Sequence, residues 1–340
     1  MSGGVDSSVA AYLMQQSGYD CVGITMRLWT QSGDNARDAE KVAIRLGMPF
    51  SAMDATAQFR KMVVDPFIRT YESGGTPNPC ITCNKHIKFD VLLQKALDEG
   101  CRYIVTGHYA QIREDPDTGR YLLYKAVDTA KDQTYFLACL DQHQLSHTKF
   151  PLGSQTKEQV RTIALEEGFI TAQKKDSQDI CFIPEGDFAA FIRQYTGKHY
   201  PAGDFLDLYG KVVGKHCGAF AYTLGQRKGL GIALGAPAYV CSKDMAKNTV
   251  TVGPNEALYA DTLLANNWNW IPFPELTQPI RVTAKARYRH NELPATVYPL
   301  ENGEAKVVFD QPQRAMTPGQ AVVLYQGDLV VGSGTIHYIL

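Results

Sequence analysis

The chain has 340 residues, 44% of them hydrophobic and 20% charged, and a formal net charge of −1. At about 150 residues per domain this length predicts two or three domains with more than one core. It excludes a single small domain, and the composition excludes wholesale disorder and a strongly basic nucleic-acid binder. No apolar run approaches the roughly 18 residues that cross a bilayer, and the opening MSGGVDSSVA has neither a basic nor an apolar leader region, so a cytoplasmic protein without membrane contact is expected.

In chain order, a helix is expected over Ser8–Gln16, with Val9, Tyr12 and Leu13 on one side, then the strand-like CVGITMRLW and a helix over Ala36–Leu46. The strand-like MPFSAMDA and a helix over Ala57–Tyr71 follow. Such alternation predicts βαβ units on a parallel sheet. Gly74, Gly75, Pro77 and Pro79 interrupt it, so Glu72–Lys88 is expected as a long loop, and long loops in compact domains tend to be functional. A helix over Lys88–Glu99, the strand RYIVTGHYA, a helix over Thr156–Glu167, the segment TAQKKDSQDICFI and a helix over Asp187–Tyr195 complete this part.

From about Gly197 the texture changes to short strands between Gly, Pro and Asn: GKVVGKH, AFAYTL, AYVCSKD, NTVTVGP, IRVTAKARY, ATVYPL, AKVVFD and AVVLYQ. These predict small β-domains or barrels, with WNWIPFPELTQP as the candidate join and Trp268 and Trp270 as its packing anchors. Charge divides along the same line. Residues 1–191 carry 20 Lys and Arg against 24 Asp and Glu, while 192–340 carry 14 against 11. Arg281, Lys285, Arg287 and Arg289 share parity, so on a strand they form either a basic stripe for phosphate contacts or a solvated barrel face. The loop GQRKGLG is either a second approach to a nucleic-acid backbone or a tight turn.

Two motifs carry chemistry. Ser2-Gly3-Gly4-Val5-Asp6-Ser7-Ser8 runs into a helix. Paired glycines let the backbone approach an anion, and hydroxyls and free helix N–H groups point at it, which predicts a phosphate site that is neither a Walker A nor a dinucleotide loop. Asp6 either positions magnesium or water there or caps the helix. Such a loop normally follows a buried strand, yet Met1 abuts it, so the first strand is expected to be missing. The second motif is Cys80-Ile81-Thr82-Cys83, before a helix with Lys85 and Lys88 nearby, a setting expected to lower thiol pKa values. A lone CxxC is half a zinc site or a thioredoxin-like pair. Cys21, Cys101, Cys139, Cys217 and Cys241 read as core thiols.

Taken in order, SGGVDSS, TPNPCITCNKHIKFD, TGHYA, KDQTYFL, KKDSQDICFI, TLGQRKGLGI and ARYR resemble the tRNA-specific 2-thiouridylases, the MnmA family of PP-loop ATP pyrophosphatases, across essentially the whole chain. The resemblance implies an α/β PP-loop domain with a parallel sheet, of the adenine nucleotide alpha hydrolase-like kind, over 1–191. A small central β-rich domain over 192–257 and a C-terminal β-barrel over 258–340 that contacts tRNA follow. It implies ATP-dependent conversion of the C2 oxygen of the wobble uridine of tRNA to sulfur, by adenylation and sulfur transfer from a cysteine persulfide. On matching positions, Cys83 is implied as nucleophile and Cys181 as the persulfide carrier, with a redox disulfide between them. ATP-binding positions are Ser2, Gly3, Gly4, Val5, Asp6, Ser7, Ser8, Met26 and Gly107. Asn78, Pro79 and Cys80 match the segment at the target base, and His108, Lys131, Asp132, Gln133, Arg287, Tyr288 and Gln320 match tRNA contacts.

ATP and magnesium are the implied cofactors. Where many relatives have Asp, this chain has Cys80, so Cys80, Cys83 and Cys181 are also candidate ligands of a four-iron four-sulfur cluster. Implied partners are tRNA, a sulfur-donor protein and a cytosolic reductant. Two rivals remain: a PP-loop amidotransferase or synthetase, which needs neither Cys83 nor Cys181, and a catalytically inactive tRNA-binding protein.

Overall fold

The computed structural model describes residues 1–29, 33–174, 180–183 and 186–340, with backbone alone at 33–35; positions 175–179 of the KKDSQDICFI segment lie outside the described residues. Helix α1 (Val5–Gln16) starts directly after the glycine pair. Strand β1 (Gly23–Arg27) crosses through α2 (Gly33–Arg45) to β2 (Phe50–Asp54), which pairs with β1 in parallel, Gly23 opposite Phe50 and Arg27 opposite Asp54. This is the expected βαβ unit. Helix α3 (Thr56–Phe59), a π-helical stretch Arg60–Val64 and α4 (Asp65–Glu72) form one rod where a single helix was expected, and it buries Phe59, Val63, Val64, Phe67, Ile68 and Tyr71.

The expected long loop at 72–88 is mostly helix. Helix α5 (Pro79–Cys83) runs on through a π-helical stretch Asn84–Val91 into α6 (Leu92–Asp98). Pro79 starts this rod rather than preventing it, because the first helical residue needs no N–H partner and proline's φ already suits a helix. The side chain of Asn78 caps it by accepting a hydrogen bond from Cys80 N at 3.2 Å. Strand β3 (Ile104–Val105) keeps two residues of RYIVTGHYA. Beyond it come the hairpin β4 (Gln111–Glu114) and β5 (Tyr121–Tyr124), α7 (Thr134–Leu137), α8 (Gln142–Ser146), β6 (Thr148–Lys149) parallel to β3, α9 (Lys157–Glu166) and α10 (Phe188–Thr196).

Strands β7 (Gly203–Leu206), β8 (Val212–His216), β9 (Tyr239–Asp244) and β10 (Thr249–Gly253) form a sheet in the order β8-β7-β10-β9. AFAYTL, expected as a strand, holds a 3-10 turn at Ala219–Ala221. Strands β11 (Tyr259–Trp270), β12 (Ile280–Lys285), β13 (Leu293–Pro299), β14 (Ala305–Arg314), β15 (Ala321–Gln326) and β16 (Leu329–Ile339) follow in the order β11-β14-β13-β12-β15-β16, and β16 pairs back onto β11 to close a six-stranded barrel. Trp268 and Trp270 stack at 4.6 Å at the end of β11, so WNWIPFPELTQP begins inside the barrel instead of joining two units.

The barrel does not stand apart. Strand β5 pairs with β16 through Tyr124 and Leu329, and one core holds Leu123, Tyr135 and Leu137 together with Ile271, Val323 and Tyr325. The basic stripe does not form. Strand β12 stops at Lys285, Arg281 is paired to Asp310 of β14, and Arg287 turns inward beyond the strand, so the four cations share no face. Among the described residues no helix is long and apolar enough to cross a membrane.

Candidate active site

The glycine pair shapes the first half of the site. Gly3 takes a positive φ of 70°, and Gly4 is the extended residue before α1, with no side chain capping the helix. The first N–H groups of α1 therefore stay available to an anion. The hydroxyls of Ser7 and Ser8 donate to the Gly4 carbonyl at 3.1 and 2.9 Å, Ser2 N donates to Ser7 Oγ at 3.1 Å, and Lys174 Nζ donates to the Gly3 carbonyl at 2.9 Å. Asp6 is held by two partners: Lys157 Nζ at 2.7 and 2.9 Å from its two oxygens, and Tyr109 Oη donating at 2.9 Å. This ion pair makes Asp6 the anchor of the loop rather than a helix cap.

The thiols are arranged differently. Cys83 is 7% exposed, and burial pushes its thiol up to about 11; Lys88 pulls the other way, and Cys181 and Cys80 add to the rise. Cys80 and Cys181 are exposed by area, yet protein surrounds them closely enough that desolvation raises both, again against the pull of Lys88. The lowered thiol pKa expected from CxxC at a helix start is thus overturned, because a five-residue helix beside one cation does not offset desolvation. All eight cysteines are free thiols. Cys80, Cys83 and Cys181 are electrostatic neighbours around one ammonium, and Lys88 makes no hydrogen bond or ion pair among the described residues.

The segment Thr106-Gly107-His108-Tyr109 joins the two halves. A Cβ on Gly107 would stand 2.5 Å from Asp6 C and 2.7 Å from Ser7 N, so only glycine lets this backbone lie against the phosphate loop. One residue on, His108 packs between Phe89 and Phe150 at 5.7 and 5.9 Å, with Nδ1 2.8 Å from Thr106 Oγ1. Burial, and then the nearby Lys88, hold its pKa well below the ordinary histidine value, so its ring is neutral at pH 7.

Other units brace the turn before α5. Thr76 N donates to the Pro318 carbonyl at 2.9 Å, and Gln320 Nε2 donates to the carbonyls of Thr76 at 2.8 Å and Pro77 at 3.3 Å. A Cβ on Gly74 would meet Met245 at 2.8 Å, which places the four-stranded unit against the same turn. Asn84 Nδ2 donates to the Phe136 carbonyl at 3.0 Å, and Tyr288 packs on Phe136 at 4.4 Å and Tyr135 at 5.8 Å.

Of the remaining candidates, Met26 lies on β1 opposite Met53 and against the core around Phe59 and Phe182. Asp132 accepts from Ala126 N and from Thr134, and Gln133 Oε1 accepts from Tyr109 N at 2.9 Å, so both side chains have internal work next to Lys131. Arg287 donates to the Leu224 carbonyl at 3.1 Å and to Thr317, which ties the barrel to the central unit. Sequence reasoning missed Lys157 and Tyr109 as holders of Asp6. Nothing local signals a contact spanning 151 residues. Cys217, expected in the core, is exposed, 3.7 Å from Tyr222 Oη and in the field of Arg193, and its pKa is lowered.

Among the described residues no group of three His, Cys, Asp or Glu side chains could hold a metal ion.

Three family models cover nearly the whole chain: tRNA methyl transferase HUP domain over residues 1–185, tRNA methyl transferase PRC-barrel domain over 189–254 and aminomethyltransferase beta-barrel domain over 260–336. A tRNA-specific 2-thiouridylase MnmA of Clostridioides difficile is 47% identical over 99% of this chain and 96% of its own length, and one of Acetivibrio thermocellus is 47% identical over 99% and 98%. Among solved structures, the U34-tRNA thiolase NcsA from Methanococcus maripaludis with its 4Fe-4S cluster covers 58% of this chain and 62% of its own at 19% identity and a TM-score of 0.36, too loose a likeness to bear on chemistry. A phosphate loop anchored through Asp6, a CxxC helix beside Cys181 and full-length relatives at this identity lead to one assignment: the chain belongs to the MnmA family of tRNA-specific 2-thiouridylases.

Proposed function

We propose that this protein replaces the C2 oxygen of the wobble uridine of tRNA with sulfur, using ATP and a cysteine persulfide. The observation that carries this reading is the single segment 106–109. Its Gly107 lies against the phosphate loop and its His108 stands in the field of Lys88, the ammonium beside the thiols, which supports a single site for an activated base and a sulfur carrier.

A uracil carbonyl oxygen is a poor leaving group. Its attack on the α-phosphate of ATP gives an O-adenylated base and pyrophosphate, and the N–H groups at the start of α1 receive the charge that develops on phosphate. Magnesium arrives on the triphosphate and needs few protein carboxylates. Asp6 serves this step by fixing the loop through Lys157 and Tyr109. Cys181 carries a sulfane sulfur. Attack of the Cys83 thiolate on Cys181 Sγ releases that sulfur as hydrosulfide, which displaces AMP at C2. The two electrons that reduce sulfane sulfur to sulfide come from the two thiols, which end as a Cys83–Cys181 disulfide, so each cycle needs an external reductant.

Recognition of tRNA belongs in this reading to the turn at Asn78, Pro79 and Cys80, to His108 and to the surface near Lys131, Tyr288 and Gln320. In this reading a protein persulfide supplies the sulfur and a dithiol reductant resets the disulfide. Incubation with tRNA, ATP, magnesium and a sulfane sulfur donor, followed by mass spectrometry of the nucleosides, tests the proposal. A 2-thiouridine derivative with stoichiometric AMP is expected, and AMP without sulfur in the RNA overturns it in favour of another adenylating enzyme.

A further inference from the structure

The proposed cycle leaves a disulfide with one end on Cys83, and Cys83 is 7% exposed. A protein-sized reductant cannot reach that sulfur. Reduction from the other end is open as well, since Cys181 is exposed, but it sets the reductant and the incoming sulfur donor in competition for the same sulfur. The third thiol offers another route. Cys80 and Cys83 occupy positions i and i+3 of one helix, Pro79–Cys83, and so lie on the same face with Cβ atoms about 5–6 Å apart, about 1–2 Å more than a disulfide spans, so that bond formation requires a backbone shift in this first helical turn. Cys80 is exposed where Cys83 is not. It is an electrostatic neighbour of both Cys83 and Cys181, and the ammonium of Lys88 faces all three.

We propose that Cys80 is the resolving thiol of the catalytic cycle, carrying the oxidising equivalents from the buried Cys83 to the protein surface; this inference rests on the sulfur-relay reading above. The Cys80 thiolate attacks Cys83 Sγ of the Cys83–Cys181 disulfide. A Cys80–Cys83 bond forms, the Cys83–Cys181 bond breaks, and Cys181 leaves as a thiolate with no net change in oxidation state. Lys88 stabilises both the attacking and the departing thiolate. Cys181 is then free to be reloaded. An external dithiol attacks the exposed Cys80 sulfur, Cys83 leaves as a thiolate, and the second thiol of the reductant releases Cys80. The reductant ends as a disulfide and the protein as two thiols, after transfer of two electrons and two protons.

The order of exposure sets the direction of this relay. An exposed first cysteine and a buried second one let the outer thiol meet a partner while the inner one acts only within the protein. Lys88 sits 5 residues beyond Cys83 in the π-helical stretch Asn84–Val91, whose wider turn keeps the two on one side of the rod.

The test uses the intact protein. One turnover is run with tRNA, ATP, magnesium and inorganic polysulfide but no reductant, then quenched in acid, alkylated and mapped by peptide mass spectrometry. The expected product is a Cys80–Cys83 disulfide with Cys181 alkylated, in about tenfold or greater excess over Cys83–Cys181. A Cys83–Cys181 disulfide with Cys80 alkylated overturns the inference and leaves the sulfur relay standing. Thiolated tRNA with all three cysteines alkylated overturns both. In Cys80→Ser the same quench is expected to trap Cys83–Cys181, and its failure to do so in a protein that still thiolates tRNA counts against the relay.

Discussion

The phosphate loop and the thiol pocket are neighbours built on opposite electrostatic principles. Around the loop, charges are paired: Asp6 with Lys157, Lys174 with Asp38, and carbonyls with serine hydroxyls. Around the thiols, among the described residues, stand the ammonium of Lys88, a neutral histidine and aromatic rings, and Cys80, Cys83 and Cys181 are all pushed toward the protonated form. The first arrangement is preorganised to receive a polyanion without moving. The second holds its thiols in the protonated form, so each needs a proton acceptor before it can act as a nucleophile. A site that handles phosphate and sulfur together needs both environments, and segment 106–109 is where they meet.

The strongest test of that division removes one sulfur. Cys83→Ser or Cys181→Ser is expected to lower thiolation by about a thousandfold or more, the scale of losing a nucleophile, while ATP binding is retained because neither thiol touches the loop. Nucleoside mass spectrometry and isothermal titration with ATP read the two halves separately, and retained thiolation in either variant refutes the relay. The converse variant is Gly107→Ala. Its methyl group would overlap the backbone of Asp6 and Ser7, so the loop must shift at a cost of about 1–3 kcal/mol, and ATP affinity is expected to fall by about tenfold to a hundredfold. Persulfide loading of Cys181, followed by mass spectrometry, is expected to continue in that variant. Loss of both functions would mean that the two halves are not separable.

The two regions also differed in how far the sequence revealed them. SGGVDSS is legible because glycine pairs, hydroxyls and a helix start are local features, although α1 begins at Val5, inside the motif, three residues before the expected start at Ser8. The CxxC turn reads as loop in sequence because proline reads as a breaker, whereas Pro79 sits at the first helical position, which suits it, and Asn78 supplies the cap. Thiol acidity was misjudged for a related reason: proximity to Lys85 and Lys88 is visible in sequence, and desolvation is not. In the barrel, strand periodicity locates β12 but not its end, so the alternation runs on past Lys285 to Arg287, which turns inward. The contacts that unite the site, Asp6 with Lys157 and Thr76 with Pro318, join positions too far apart for any local pattern to encode.

A third measurement sharpens the contrast by titration. Burial disfavours the Cys83 thiolate, so its folded pKa lies above the ordinary value of 9.0, at about 11. At pH 8 the Cys83 thiol is therefore overwhelmingly protonated. Alkylation of Cys83 by iodoacetamide in the free protein is expected to rise about tenfold per pH unit through pH 9 without levelling. Lys88 opposes the rise, so Lys88→Met is expected to move the profile to still higher pH and to slow alkylation of Cys80 several-fold at fixed pH. A plateau below pH 9 would place the thiol in a polar pocket like that of Asp6.

The smallest expected effect concerns the brace between the barrel and the turn at Thr76 and Pro77. Gln320 donates to both carbonyls from a partly buried position, and Thr76 N is held independently by Pro318. Gln320→Ala therefore removes two hydrogen bonds but leaves the backbone link, at a net cost of about 1 kcal/mol, since the second bond is long and water can reach the freed carbonyls. Because the turn carries Asn78 into the cap of α5, its loosening is expected to reach substrate before it reaches global stability. The KM for tRNA is expected to rise about fivefold with kcat and the ATP affinity nearly unchanged. A fall in kcat with unchanged KM would instead mean that the barrel positions the thiols themselves, and would move Gln320 from the binding side of the site to its chemistry.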